Sequence, residues 1–242
     1  MSNKKMFTVF VLALLAVFVV SGCGTQVNTG ATGEPMVIQT YGEAELKAEP
    51  DLARIGLAVE TRGSSAEQAV EENARLANAV FDALKSYGLD EDEIKTGSYR
   101  LHSYREWYDE RPDGEEVITF QAVNEVVVST SRIEEVGEII DLAVKAGANN
   151  INFINFELED PQALKVEALQ AATEQAEMKA AAIAESAGEK ISGLYRIREE
   201  RTDYTPYTVR QEVAADMGMG APTPIAPDEV TVRAMVTAEF AF

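Results

Sequence analysis

The stretch from Val117 to Asp160, VITFQAVNEVVVSTSRIEEVGEIIDLAVKAGANNINFINFELED, changes its apolar period twice, from two to nearly four and back. Few folds accommodate that change, because a strand, a helix and a second strand in close succession must share one core. Ile118, Phe120, Ala122, Val126 and Val128 fall on one parity, and Thr119, Gln121, Glu125 and Ser129 fall on the other. Asn124 breaks the apolar row. Ser131-Arg132-Ile133-Glu134 has the spacing of a capping box, in which a hydroxyl and a carboxylate serve the free N–H groups of a helix start. Ile133, Val136, Ile139, Ile140 and Ala143 then line one helical face, and Gly147 supplies the stop. Ile154, Phe156 and Leu158 alternate with polar residues as the second strand.

The same reading extends to both sides. Met36–Leu46 and Leu52–Thr61 are strand-like, separated by a Pro50-Asp51 turn, with Ile55, Leu57 and Val59 pointing inward. Ser64 and Ser65 stand three residues ahead of Glu67 and Gln68, and Val70, Ala74, Ala77, Phe81 and Leu84 predict the buried face of a helix ending at Gly88. Ile94–Arg105 reads as a strand with Tyr99 and Leu101 on one face and Ser98, Arg100 and His102 on the other, followed by a hairpin tip around Pro112-Asp113-Gly114. Asp160-Pro161 opens a third helix that runs to about Ala187, before Gly188, on a face of alanines with Leu164, Leu169 and Ile183. Ile191–Arg198 is a strand, Glu200–Asp228 has no period and reads as a long loop, and Val230–Phe242 alternates to the last residue. The order is strand-strand-helix twice, then strand-helix-strand-strand. It predicts an α+β fold, three main helices on antiparallel or mixed sheet, and hints at an internal repeat of the opening unit.

The start of the chain is of a different kind. Lys4 and Lys5 precede an apolar run from Met6 to Val20, and Val20-Ser21-Gly22-Cys23 has the lipobox pattern of bacterial lipoproteins. The expected division is residues 1–22 as signal peptide, 23–35 as flexible tether and 36–242 as folded domain. Lipidation at Cys23 would make the membrane a partner and place the chain outside the cytoplasm, on the cell membrane or the periplasmic side of an outer membrane. Cys23 is the one cysteine, so its lipidation leaves no thiol for catalysis, redox switching or metal binding. The formal charge of −20 becomes more negative by two once Lys4 and Lys5 are removed, a field that repels nucleic acid.

Residues able to carry chemistry are sparse. His102 is the only histidine, which excludes metal clusters or catalytic arrangements that need two, although alone it could still act as a general base; no catalytic set is assigned. Tyr99, His102, Tyr104 and Trp107 gather aromatic rings and polar tips near one hairpin, a candidate platform for a sugar or peptide, with strand packing or a subunit contact as the plainer reading. Paired carboxylates are too abundant to point to a glycosidase. Asp90 to Glu93 offers weak divalent-cation ligands, and Met217 and Met219 offer thioethers to soft metals or oxidants. No cofactor is implied.

Ala122-Val123-Asn124-Glu125-Val126, Val136-Gly137, Leu142-Ala143 and Gly147-Ala148-Asn149 resemble the SIMPL domain family, a family of unknown function that includes oxidative-stress-defence and periplasmic immunogenic proteins. Gly42-Glu43, Pro50-Asp51, Val59-Glu60-Thr61, Glu72-Asn73 and Ala221-Pro222-Thr223-Pro224-Ile225 extend the resemblance in family order from Met36 to Phe242. The resemblance implies stress-related physiology and, for some members, large ring-like oligomers. The expectation is a lipid-anchored, non-enzymatic envelope protein acting through homo-oligomeric assembly or partner binding, with the 200–228 loop and the terminal strand as contacts. The alternative is an envelope hydrolase, or a sugar- or peptide-binding module, built on the His102/Trp107 hairpin.

Overall fold

A strand with an apolar row on one side must be covered on that face, and Leu52–Gly63 is the best case in this chain: Ala53, Ile55, Leu57 and Val59 are fully buried, and Thr61 ends the row. The computed structural model describes residues 35–107, 116–209 and 223–242. In chain order these form strands β1 (Val37–Ala48) and β2 (Leu52–Gly63), helix α1 (Ala66–Tyr87), β3 (Ile94–Trp107), β4 (Glu116–Thr130), a 3₁₀ turn (Ile133–Glu135), α2 (Val136–Ala146), β5 (Asn150–Glu157), α3 (Gln162–Ser186), β6 (Gly193–Thr205), β7 (Tyr207–Thr208) and β8 (Val230–Ala241). The signal, tether and lipidation readings at residues 1–34, the Pro112-Asp113-Gly114 turn and both loop methionines lie outside the described residues.

Two antiparallel sheets result. The larger has the order β3-β4-β2-β5-β7, the smaller β1-β8-β6. The expected α+β architecture with three helices is therefore present. The internal repeat is not carried, because β3 and β4 form a hairpin while β1 leaves β2 to pair with β8 along its whole length. Helices α1 and α2 cover one face of the larger sheet over a core that includes Ile55, Leu57, Val126, Val128, Leu84, Ile139 and Phe156.

The expected starts and faces of the helices hold unevenly. Ser65 caps α1 by accepting the Gln68 N–H at 3.2 Å, while Gln68 returns its own oxygen to the Ser64 N–H. The buried stripe of α1 is Ala69, Asn73, Ala77, Val80 and Leu84, not the expected row through Val70 and Ala74: Ala74 is exposed and a polar residue holds the central place. The capping box at Ser131 does not form. The chain first makes its 3₁₀ turn, so α2 begins at Val136 without a side-chain cap. Asp160 accepts the Gln162 N–H at 2.9 Å, while Pro161 sits at the cap position rather than inside the helix. The 200–228 loop is shorter than expected, since β6 continues to Thr205 and Tyr207–Thr208 pairs with β5. Two register shifts in β6, and exposure of nearly all its side chains, remove the period by which such a strand is recognised.

Helix α3 packs on the smaller sheet by having almost no side chains in the way. Ala168, Ala172, Ala176, Ala180 and Ala184 form a stripe at four-residue spacing, each essentially inaccessible, whereas Ile183 is 49% exposed and takes no part in the face expected of it. The approach is so close that a Cβ on Gly42 would lie 1.7 Å from the Ala172 carbonyl oxygen. Alanine at 42 cannot be absorbed by a rotamer change, because the obstacle is backbone. Gly42→Ala is predicted to destabilise the fold by about 3 kcal/mol, seen as a lower urea midpoint with an unchanged slope.

The joint between α1 and α2 is sensitive to pH. Tyr87, at the end of α1, donates to Glu138 of α2 at 2.8 Å, and that bond to a carboxylate, with some burial, pushes its phenol up to about 12. A pKa raised in the folded state favours the fold while the phenol is protonated. The contribution is complete below the ordinary value near 10 and is lost as pH rises through about 12. Absorbance titration of tyrosinate should show a tyrosine titrating near pH 12 that moves toward the ordinary range in Glu138→Gln.

Candidate functional site

The hairpin β3–β4 holds the candidate platform, and its register distributes the four residues. Tyr99 pairs with Asn124, His102 with Gln121 and Tyr104 with Thr119, so His102 and Tyr104 share one face and Tyr99 belongs to the other. His102 and Tyr104 do come together, with ring centroids 5.9 Å apart and planes inclined at 42°. The Arg62 guanidinium of β2 lies 6.0 Å from the Tyr104 ring centre. Tyr99 is half-exposed on the helix-bearing side. Trp107 occupies the last position of β3, opposite Glu116, and its side chain lies outside the described residues. His102 is exposed, and among the described residues it has no hydrogen-bonding carboxylate to orient it as a base.

The remaining candidates are used otherwise. Glu93 accepts the Asp90 N–H at 2.8 Å, and Glu91 pairs with Lys85 at 2.7 Å, which holds Glu91 below the usual carboxylate range. The acidic run thus closes the turn between α1 and β3. Among the described residues no group of three His, Cys, Asp or Glu side chains could hold a metal ion. No described helix is long and apolar enough to cross a membrane.

Convergence of polar chemistry occurs elsewhere, at joints between elements. Asn149 follows Gly147, whose φ of +133° turns the chain out of α2, and Ala148, which is buried. Its amide accepts the Glu60 N–H at 2.9 Å and donates to the Glu60 carbonyl at 2.7 Å, while its own N–H reaches the Ala58 carbonyl. One side chain thereby continues the β2 ladder beyond the end of β5. Asn73, fully buried on α1, donates to the carbonyls of Val59 and Ala122 at 2.8 and 3.0 Å, bridging the two central strands. Thr61 donates back to the Ala69 carbonyl at 2.7 Å. On β4, Asn124 is directly opposite Val59, and its Oδ1, like that of Asn73, is buried without a partner.

Two further joints fasten the sheets and the returning chain. Asp51 donates its N–H to the Glu157 carbonyl and accepts the Glu159 N–H at 2.7 Å, and the Tyr204 hydroxyl accepts the Leu158 N–H at 2.6 Å, its phenol pushed up chiefly by burial. Thr223 donates from both its hydroxyl (2.7 Å) and its N–H (3.2 Å) to Asp141 of α2. Its carbonyl lies where a Cβ on Gly137 would stand, at 2.1 Å, and Ile225 packs against the main core. The sequence pointed to Thr61, Asn73, Asn149 and Thr223 through resemblance alone, to Asp51 through its turn as well, and to Asp141 and Tyr204 not at all. A polar residue on a helix face or in a turn otherwise reads as a solvated one.

These contacts define a two-sheet α+β body whose distinctive polar residues hold its parts in register. The chain belongs to the SIMPL family, described as a protein of unknown function (DUF541), whose model matches residues 38–240. It is 26% identical over 214 residues to the 26 kDa periplasmic immunogenic protein of Brucella melitensis, covering 86% of each chain. It is also 25% identical over 207 residues to the uncharacterized protein YggE of Escherichia coli K12, covering 85% of this chain and 82% of that one. A further relative is YggE of Edwardsiella ictaluri, 26% identical over 197 residues and 81% of each chain.

If the motif residues build the body and the hairpin residues decorate it, their substitutions should differ in kind. Asn73→Ala is predicted to cost about 2 kcal/mol, because two buried carbonyls lose a donor. His102→Ala should stay within about 0.5 kcal/mol of the parent in the same urea titration.

Proposed function

We propose that this chain is a lipid-anchored protein of the cell envelope that works as a non-enzymatic scaffold, through assembly with copies of itself or by binding a partner. The observation that carries the reading is the placement of its distinctive residues. Asn149, Asn73, Gly42, Asp51 and Thr223 each fasten one element to another, while the candidate binding residues Tyr99 and His102 fall on opposite faces of a sheet. Selection of a side chain for chemistry would ask for convergence on a substrate, and here the convergence is on backbone. The name of the Brucella relative supports a location outside the cytoplasm, and the lipobox at Cys23 supports attachment there through lipid.

The anchor is tested by Cys23→Ala. The variant should fail to incorporate labelled fatty acid and should leave the membrane fraction. Labelling of neither form would reject the anchor. Assembly is tested by replacing residues 210–222 with a Gly/Ser linker of the same length, which leaves Val209, bonded to the Ile154 carbonyl, and Thr223 free to keep their contacts. Light scattering should then show a lower mass with an unchanged circular dichroism spectrum, and an unchanged mass rejects the arm as a contact.

A second reading, a sugar- or peptide-binding module, draws on the tilted His102–Tyr104 pair beside Arg62. Calorimetric titration with cell-wall fragments should give heat that disappears in Tyr104→Ala.

A further inference from the structure

The smaller sheet has two unlike ends. Where β1 begins, β8 finishes and β6 begins, Val37 pairs with Ala241, which in turn pairs with Gly193, and Ile38 aligns with Phe240 and Leu194. Helix α3 runs toward the same end: Ala172 meets Gly42, Ala176 meets Thr40, and the helix closes at Ser186. Around this end Val37, Ile183, Leu194, Tyr195 and Ile197 are all exposed, from 37% to 52%. At the other end α3 exposes Val166, but the strands expose no large apolar residue among those described. Val230 and Val232 are buried there, and the rim carries the Lys47–Glu229 and Arg233–Glu45 pairs. Helix α3 lies over β1 and β8 and leaves β6 uncovered, and none of these five side chains belongs to the core beneath the helix, so the rim is surplus to that core.

We infer that this rim rests on the surface of the bilayer to which the chain is anchored, orienting the body with β1 pointing out of the membrane. The inference rests on the lipid anchor proposed above. Thirteen residues separate Cys23 from Val37; as a flexible coil they span roughly 20 Å, and about 45 Å only at full extension. Strand β1, twelve residues long, carries the polar end roughly 40 Å farther away. The sequence therefore holds the apolar end near the lipid, at a high local concentration, and a weak contact suffices to fix orientation. Tyr195, with Arg196 5.4 Å from its ring centre, has the amphipathic character of residues that settle at headgroup depth. At this end Lys190 and Arg198 offset Glu185 and Glu189, and Arg196 pairs with Glu239 at 3.3 Å, so the preference for zwitterionic over anionic lipid comes from the strongly acidic chain as a whole.

The single native cysteine makes the test clean. The full lipidated chain carrying Leu194→Cys, or Thr205→Cys at the far end of β6, is spin-labelled and reconstituted in phosphatidylcholine vesicles, and label accessibility to a water-soluble nickel chelate and to oxygen is read by power saturation. The expected result is flotation with the vesicles and loss of chelate access at position 194, with access retained at 205. If the chain does not float, the anchor fails and this orientation fails with it. Flotation with both labels equally open to the chelate overturns the orientation alone. Shielding of position 194 that appears only where light scattering shows dimers assigns the rim to a second copy and overturns it as well.

Discussion

Every open sheet runs out of backbone partners at its margins, and the way this chain satisfies those margins decides its architecture. Side-chain amides and one ammonium take over where strands stop. Asn149 continues the ladder of β2 past β5. Gln175 and Lys179 of α3 reach the Glu43 N–H and the Tyr41 carbonyl at the outer edge of β1, at 3.0 and 2.9 Å. Both bonds depend on the alanine stripe and Gly42, which let the helix come near enough for such side chains to arrive. Close packing and edge protection are thus one device. Lys179 also lies 4.2 Å from the centre of the Tyr41 ring, so the same ammonium serves a carbonyl and an aromatic face.

Asn73 places the same kind of bond in the interior. A buried amide that spans the carbonyls of β2 and β4 ties α1 to a defined longitudinal position, since sliding by one residue would present the amide to different groups. Its unpaired Oδ1, and that of Asn124 on the facing strand, are a local cost accepted inside an otherwise apolar core. The two sheets are held by a smaller set of contacts around Asp51, Leu158 and Tyr204, and the chain returning from residue 222 is pinned to α2 before it enters β8. Energy here is spread over joints between elements.

Much of this was legible in the sequence. Periodicity located β2, the buried face of α2 and the alternation of β8, because each has one wet side and one dry side. It failed where that contrast disappears. Strand β6 is exposed on both faces and twice bulged, so its second half looked like loop. Asn73 sits where a pattern search expects a hydrophobic residue, which moved the expected stripe of α1 aside. The partition of β1 and β2 between sheets depends on pairings separated by most of the chain, which no local pattern reports. For the candidate site, period two already separated Tyr99 from His102. Proximity along the chain drew them together on paper, and the pleat keeps them apart.

The pairing of Val37 with Ala241 has a consequence for topology. The folded body begins and finishes on neighbouring strands at one corner, so its path is nearly a closed circuit. A linker of a few residues could join those points, and new termini cut between β3 and β4 would leave every pairing described here intact. The wiring can be re-entered at another place without rebuilding the body, which opens a route to presenting either sheet at the end of a fusion.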